Sequence, residues 1–72
     1  MNIRVHFEFK NGKQDFFVFE LKTSNINTMG QNIRRYIADK FIVEYTDIEG
    51  YIHIINFSEV QYVRVSEVKG KV

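Results

Sequence analysis

Apolar and polar residues alternate without a break from Ile3 to Lys10, and this alternation constrains the fold more than any other feature of the sequence. The apolar set is Ile3, Val5, Phe7 and Phe9, and the polar set is Arg4, His6, Glu8 and Lys10. A period of two places the two sets on opposite faces of a β-strand. We therefore predict a first strand with one buried face and one solvent-facing face.

The length of 72 residues makes a single domain, residues 1–72, the expected organisation. A chain this short has little apolar surface to bury, so its core must be dense or shared with a partner. The sequence contains no cysteine, which excludes disulfide bonds and thiolate metal sites. Stability must therefore come from packing.

Charge and hydropathy predict a cytoplasmic protein. Ten basic and nine acidic residues give a net charge of +1, and neither sign forms a long run, so strong non-specific binding to nucleic acid is not implied. The first residues show no basic segment followed by an apolar run, and no stretch approaches the roughly 18 apolar residues of a membrane span. We expect neither a secretory signal nor association with a membrane.

The second strand, Gln14–Lys22, follows a turn at Asn11-Gly12, and the length of the loop decides which face of this strand is buried. A two-residue loop is the default for this dipeptide, but it would place Phe17, Phe19 and Leu21 on the polar side. We favour a three-residue loop, Asn11-Gly12-Lys13, in which Gly12 supplies a positive φ at a bulge and the three apolar residues face the core. The pairs that this loop predicts are Phe7 with Phe17, Val5 with Phe19, Ile3 with Leu21 and Arg4 with Glu20.

A helix is predicted after the polar cluster Thr23-Ser24-Asn25, which can cap it. We expect the helix to run from Asn25 or Asn27 to Asp39. Gly30 in its interior costs about 1 kcal/mol relative to alanine, so either the helix starts later or its backbone packs closely against the sheet there. The apolar residues that recur at spacings of three and four, and should face the core, are Ile26, Met29, Ile33, Tyr36 and Ile37.

The rest of the chain predicts a second hairpin and a final strand. The expected elements are strand three Phe41–Thr46, a turn Asp47–Gly50, strand four Tyr51–Asn56, a connection Phe57–Glu59, strand five Val60–Ser66 and a frayed tail Lys69–Val72. The order β-β-α-β-β-β predicts an α+β fold, a largely antiparallel five-stranded sheet with one helix packed on one face. The predicted core of the sheet is Ile3, Val5, Phe7, Phe17, Phe19, Leu21, Val43, Ile52, Ile54, Val63 and Val65.

No catalytic, cofactor-binding or metal-binding pattern is present in the sequence. His6 and His53 fall on the predicted outward faces of strands, and two histidines without a carboxylate at ligand spacing do not form a zinc site. No Ser, Thr or Lys lies in a nucleophile motif, and the four glycines form no phosphate-binding loop. We expect a non-enzymatic protein without a cofactor or a small-molecule substrate.

The second face of the predicted sheet is too apolar for ordinary surface. Its apolar members are Phe16, Val18, Ile42, Tyr51, Ile55 and Tyr62, and its polar members are Arg4, His6, Glu8, Glu44, His53 and Arg64. We expect this face, or an exposed sheet edge, to bind protein, either a second copy in a homodimer or a host protein. The candidate contact residues are Phe16, Tyr51, Tyr62 and Arg64.

A weak single-stranded nucleic-acid binder is the alternative. On this hypothesis Tyr51, Tyr62 and the two histidines stack on bases, while Arg4 and Arg64 neutralise phosphates. Acidic residues on or beside the face, and the absence of the paired aromatic motifs of RNA-recognition sheets, make nucleic acid the less favoured partner. A third interpretation is a monomer whose long side chains cover the apolar atoms of this face.

Two segments carry a resemblance to known small proteins. The run Gly50–Val63, with the sequence GYIHIINFSEVQYV, follows a strand-turn-strand start that contains Asn11-Gly12-Lys13. In this the chain resembles small proteins of unknown function from Gram-positive bacteria and their phages or plasmids, which often end in a strand, an Asn with a short turn, and a last strand of alternating valines and isoleucines. The resemblance implies that Asn56 caps the turn, with Ser58 or Glu59 helping to close it. It also implies a mobile-element or accessory context, in which small domains often bind host proteins.

Overall fold

The computed structural model describes residues 1–21 and 26–68, and its elements follow the predicted order β-β-α-β-β-β. The strands are β1 (Asn2–Phe9), β2 (Gln14–Glu20), β3 (Ile42–Thr46), β4 (Ile52–Asn56) and β5 (Val60–Glu67), the helix is α1 (Ile26–Asp39), and a 3₁₀ turn covers Phe57–Glu59. The α+β class and the antiparallel pairing of the strands are confirmed. The expected helix cap at residues 23–25, the end of the second strand at residue 22 and the tail at residues 69–72 lie outside the described residues.

The prediction of one five-stranded sheet is wrong, because the strands lie in two layers. β1 is the centre of a three-stranded sheet with the order β2-β1-β5, whereas β3 and β4 form a separate two-stranded hairpin. The hairpin lies across the buried face of the larger sheet, where the ring of His53 stacks on that of Phe17 with 4.1 Å between centroids. The ring of Tyr45 on β3 contacts the rings of Phe17 and Phe19. The hairpin and α1 together form the second layer.

The first hairpin has the predicted buried face but not the predicted pairs. Its loop is Lys10-Asn11-Gly12, because Gly12 N–H donates to Phe9 O at 2.9 Å and Phe9 N–H donates to Lys13 O at 2.8 Å. Gly12 has the expected positive φ, 89°. A three-residue loop of this type needs a positive φ at its last position, and not at its middle position as we predicted. The loop therefore begins one residue earlier, at Lys10. The register therefore shifts by two residues, which preserves the faces. The observed pairs are Val5 with Phe17, Ile3 with Phe19, Phe7 with Asp15 and Arg4 with Val18, so the predicted Arg4–Glu20 pair is wrong.

The core lies between the three-stranded sheet and the second layer. Phe7 is fully buried near its centre, and its ring lies 5.7–6.4 Å from four other aromatic rings. The buried hydrophobic residues are Ile3, Val5, Phe7, Phe17, Phe19, Met29, Ile33, Ile55, Phe57 and Val60. Partly buried side chains packed against them include the predicted Leu21, Ile26, Tyr36, Val43, Val63 and Val65. Ile37, a predicted core residue of the helix, is 36% exposed.

The predicted buried face of β4 is wrong. Ile52 and Ile54 are 60% and 68% exposed, whereas Ile55 is buried and His53 is half-buried. Because β4 stacks on the sheet instead of joining it, the strand turns His53 and Ile55 toward the core. The expectations that His53 faces outward and that Ile55 belongs to an exposed face are both wrong for this reason.

α1 begins and ends close to its predicted limits, but neither predicted explanation for Gly30 is correct. The helix does not start late, since Gly30 lies inside it. Its backbone is not in close contact with the sheet either, since a β-carbon added at Gly30 would meet no atom of the described residues within 4 Å. The helix ends in a left-handed cap at Lys40, with φ 58°, where Phe41 N–H donates to Tyr36 O at 3.0 Å.

The turn before β5 has the capping contact that the resemblance implies. The side-chain oxygen Oδ1 of Asn56 accepts from Ser58 N–H at 3.1 Å and from Ser58 Oγ at 2.7 Å. These bonds close the 3₁₀ turn at its first residue. This turn also places Phe57 in the core and directs β5 back toward β1.

Replacing Lys40 by glycine is expected to stabilise the fold, because a residue with a β-carbon is strained at this positive φ. We expect Lys40→Gly to raise the free energy of unfolding, measured by urea denaturation, by about 0.5–1 kcal/mol. Ala38→Gly, in the last turn of the same helix, is the matched control and should lower that free energy by about 1 kcal/mol. A lower free energy for both variants contradicts the prediction.

Candidate interaction surfaces

Three of the four candidate contact residues lie together on the solvent-facing side of the three-stranded sheet, which we call the sheet outer face. Phe16 on β2 and Arg64 on β5 both lie opposite His6 on β1. Tyr62 lies in the next row, opposite Glu8. Phe16 is 59% exposed and Tyr62 is 50% exposed, so both are available to a partner.

Neighbouring side chains on the same face already contact Phe16. The His6 ring is stacked with the Phe16 ring, with 6.4 Å between centroids and 7° between planes. The guanidinium carbon of Arg4 lies 5.9 Å from the Phe16 centroid, within the range of a cation–π contact. This arrangement agrees with the interpretation in which long side chains cover the apolar atoms of the face, and it leaves less ring surface for a partner.

Tyr51, the fourth candidate, lies outside this sheet. It belongs to the loop between β3 and β4, is 66% exposed, and donates its N–H to Asp47 Oδ1 at 2.9 Å. The same loop reaches the edge of β2, since Ile48 N–H donates to Val18 O at 2.9 Å. The structure therefore does not place Tyr51 on the face that carries the other three candidates.

The solvent-facing side of the β3–β4 hairpin exposes three isoleucines, and we call it the isoleucine face. Ile42, Ile52 and Ile54 are 69%, 60% and 68% exposed. Ile54 lies opposite Glu44, which is two residues after Ile42 in β3, so the side chains of Ile42 and Ile54 are diagonal neighbours on one face. Ile52 precedes Ile54 by two residues in β4, so its side chain is next to that of Ile54 on the same face. The sequence does contain a signal for this face, because β4 carries isoleucine in both alternating sets, Ile52 and Ile54 in one and Ile55 in the other, and only one set can face the core.

The main-chain groups of the same three isoleucines point away from the hairpin. At one end of the hairpin Phe57 N–H donates to Phe41 O at 2.9 Å, so the N–H and C=O groups of these two residues point toward the opposite strand. In an antiparallel pair the same holds for the main-chain groups of every second residue along each strand. Those of Ile42, Ile52 and Ile54 alternate with them and face the two edges. Over residues 1–21 and 26–68 they have no main-chain partner, so these edges can accept a further strand.

A hydrogen-bond network holds the β3–β4 loop against the larger sheet. Asp47 accepts at Oδ1 from the N–H groups of Glu49 and Tyr51, both at 2.9 Å, and its Oδ2 lies 2.7 Å from His53 Nε2. The hydrogen bond from His53 is the main cause that lowers the pKa of the Asp47 carboxyl below its ordinary value of 3.8. Since the His53 ring also stacks on Phe17, the pair joins the two layers.

Tyr45 is the other group whose ionisation the fold perturbs. Its hydroxyl is buried without a hydrogen-bond partner in the part of the chain that the structure describes, beside a cavity of about 160 Å³ that Met29 and Tyr36 also line. Burial, and to a smaller extent Tyr36, raises the pKa of Tyr45 to about 12. A buried hydroxyl without a partner costs about 1–3 kcal/mol, so Tyr45 contributes through its ring.

Comparisons with known proteins add no functional information. A scan against protein-family models and searches of curated proteins and of solved structures find no match to the chain. Among the described residues, no three His, Asp or Glu side chains come together in a way that could hold a metal ion. In the same residues no helix has the length and apolar composition needed to cross a membrane. Function is therefore inferred from the surfaces of the fold.

Removing the hydroxyl of Tyr45 is expected to leave the fold as stable as before or to stabilise it. Tyr45→Phe keeps the ring contacts with Phe17 and Phe19, so we expect the free energy of unfolding to stay the same or to rise by up to about 1 kcal/mol. Tyr45→Leu, which removes the ring, is the control and should lower it by about 2 kcal/mol or more. A loss above about 1 kcal/mol for Tyr45→Phe would show that the hydroxyl has a partner.

The Asp47 network is expected to make stability depend on acid pH. The pKa of Asp47 is lower in the folded chain than in the unfolded one, so its contribution is present above pH 3.8 and is lost as the pH falls through the folded-state value. Asp47→Ala should therefore unfold at lower urea concentration than the natural chain at pH 7, and this difference should shrink as the pH falls below 3.8. Glu49→Ala, in the same loop, is the control and should change the free energy of unfolding at pH 7 by less than about 0.5 kcal/mol. A difference for Asp47→Ala that is constant from pH 7 to acid contradicts this assignment.

Proposed function

We propose that this chain is a non-enzymatic protein-interaction module that pairs with a second copy of itself through the isoleucine face. The observation that carries the proposal is the contiguous exposure of Ile42, Ile52 and Ile54 on one face of a two-stranded hairpin. A contiguous exposed apolar patch of this kind marks a contact site in a small soluble protein. An accessory role in a phage or mobile element, through binding of a host protein, is the wider context that the sequence resemblance favours.

A second copy suits this face because the contact can be centred on β4. A two-fold axis near Ile54 would pack Ile52 and Ile54 against the partner's Ile52 and the partner's Ile54. Glu44 lies on β3, so it would remain at the solvated rim of such a contact.

The energy available from this face predicts a dimer of moderate strength. Burying an exposed isoleucine is worth about 1–2 kcal/mol, so the four at the centre of this contact, Ile52 and Ile54 from each copy, supply about 4–8 kcal/mol. Association costs about 4–15 kcal/mol in lost freedom of motion, which is of similar size. We therefore expect a dimer that dissociates on dilution rather than a permanent one.

The nucleic-acid alternative is less well supported than self-association. Arg4 and Arg64 on the sheet outer face could contact phosphates, but the Phe16 ring already has Arg4 and His6 as neighbours. Glu8 on β1 lies opposite Tyr62 on the same face, and its negative charge repels phosphate. Salt separates the two functions, since affinity for nucleic acid falls steeply with salt and an apolar dimer does not weaken with it.

The test is the solution mass by light scattering over a range of protein concentrations. The natural chain should shift from monomer to dimer with concentration, and Ile54→Lys should remain monomeric. Ile54 is 68% exposed, so this substitution should leave the circular dichroism spectrum unchanged, and also the urea midpoint at a dilution where the natural chain is monomeric. Tyr62→Glu, at an exposed position on the sheet outer face, is the matched control and should dimerise like the natural chain.

Two results would contradict the proposal. A natural chain that is monomeric at every concentration rules out self-association. Dimerisation that Tyr62→Glu abolishes and Ile54→Lys does not would place the contact on the sheet outer face instead of the isoleucine face.

A further inference from the structure

A groove of about 750 Å³ lies between α1 and β5, on a different part of the molecule from the isoleucine face. Its helical wall includes Ile26, Ile33 and Ile37, which lie on one side of α1 because they are separated by seven and four residues. Val63 and Val65 of β5 line the opposite wall. The groove also explains why Ile37, a predicted core residue, remains 36% exposed.

The edge of β5 along this groove offers main-chain groups to a further strand. Val68 N–H donates to Asn2 O at 2.9 Å, so the main-chain groups of alternate residues in β5, including Arg64, point toward β1. Those of Val63 and Val65 point the other way. Within residues 1–21 and 26–68, β5 is an edge strand and these outward groups have no main-chain partner.

Gly30 keeps space open at the helical wall of the groove. It lies inside α1, where glycine costs about 1 kcal/mol relative to alanine, and it lines the groove. A β-carbon at this position would meet no atom of residues 1–21 and 26–68 within 4 Å, so packing among these residues does not require glycine here. A chain seated in the groove does explain it, because any larger side chain would project into the space that the chain occupies.

The charge that the groove presents is positive. Arg34 is the one side chain with a formal charge among the described residues that line it. In the described part of the chain Arg34 takes part in no ion pair. Glu67, two residues beyond Val65 on the same edge, does not line the groove. A ligand with an acidic side chain beside Arg34 would complement this charge.

We infer that the groove binds an extended segment of a partner protein, which adds to the edge of β5 as a further strand. The segment carries apolar side chains at alternate positions, because only every second residue of a strand can face the isoleucines of α1. It carries at least one Asp or Glu beside Arg34. Main-chain hydrogen bonds to Val63 and Val65 supply affinity that is independent of sequence, and the apolar and acidic side chains supply specificity.

The test uses a displayed library of random peptides of about ten residues, selected on the natural chain. We expect the selected peptides to combine alternating apolar residues with Asp or Glu. Binding of one synthetic selected peptide is then measured by fluorescence anisotropy. Gly30→Leu should weaken it roughly tenfold or more by filling the groove, while improving the helix propensity, so that loss of binding is not loss of folding. Ala38→Leu, on α1 but outside the groove, is the matched control.

Two changes separate the contributions of charge and main chain. Arg34→Glu should weaken the acidic peptide about threefold to fivefold and favour a version with Lys in place of the acidic residue. Methylation of alternate peptide nitrogens should abolish binding, because it removes the donors that pair with the edge of β5. Failure to select any peptide, unchanged binding to Gly30→Leu, or unchanged binding of the methylated peptide would overturn the inference.

Peptide binding in the groove does not depend on dimerisation through the isoleucine face. Peptide selection and binding are repeated on Ile54→Lys, which alters the proposed dimer contact and leaves the groove intact. The selected peptides should bind Ile54→Lys as they bind the natural chain. A peptide that binds the natural chain but not Ile54→Lys would place its site at the hairpin and overturn the assignment to the groove.

Discussion

The rest of the structure depends on how the buried face of the three-stranded sheet is covered. A helix is about 10 Å across and three strands span about 14 Å, so α1 cannot shield Phe7 and Phe17 from water alone. The β3–β4 hairpin completes the cover, with Tyr45 and His53 packed against Phe17. Because the hairpin belongs to the covering layer, one of its faces is buried, and the other is not covered by any part of the chain within residues 1–21 and 26–68.

The parts of the fold that follow from local pattern could be predicted from the sequence. In β1 every polar side chain falls on one face, so the buried face follows from the alternation of polar and apolar residues alone. In β2 the choice of face followed from Phe17 and Phe19, although the individual pairs required the position of Gly12 within the loop. The limits of α1 followed from apolar spacing and agree with the structure to within one or two residues.

The parts that failed depend on residues distant in sequence. Hydropathy favours Ile52 and Ile54 over His53 as the buried set of β4, yet His53 is turned inward because Phe17 stacks on its ring and Asp47 bonds its Nε2. Neither contact can be deduced from the local pattern of the strand. The same error placed Tyr51 with the other candidate residues, since that grouping assumed that all five strands form one sheet. Phe16, Tyr62 and Arg64 were grouped correctly because they depend only on pairing within the three-stranded sheet.

The position of β1 between β2 and β5 has a consequence for how the chain folds during its synthesis. Ile3 lies opposite Glu67, 64 residues further along the chain, so the central strand cannot complete its pairing until the last strand has left the ribosome. Until then the nascent chain exposes one unpaired edge of this central strand, and contacts of such long sequence separation form slowly. The nascent chain is therefore most prone to misassociation just before β5 emerges, and chaperones would protect it best at that stage.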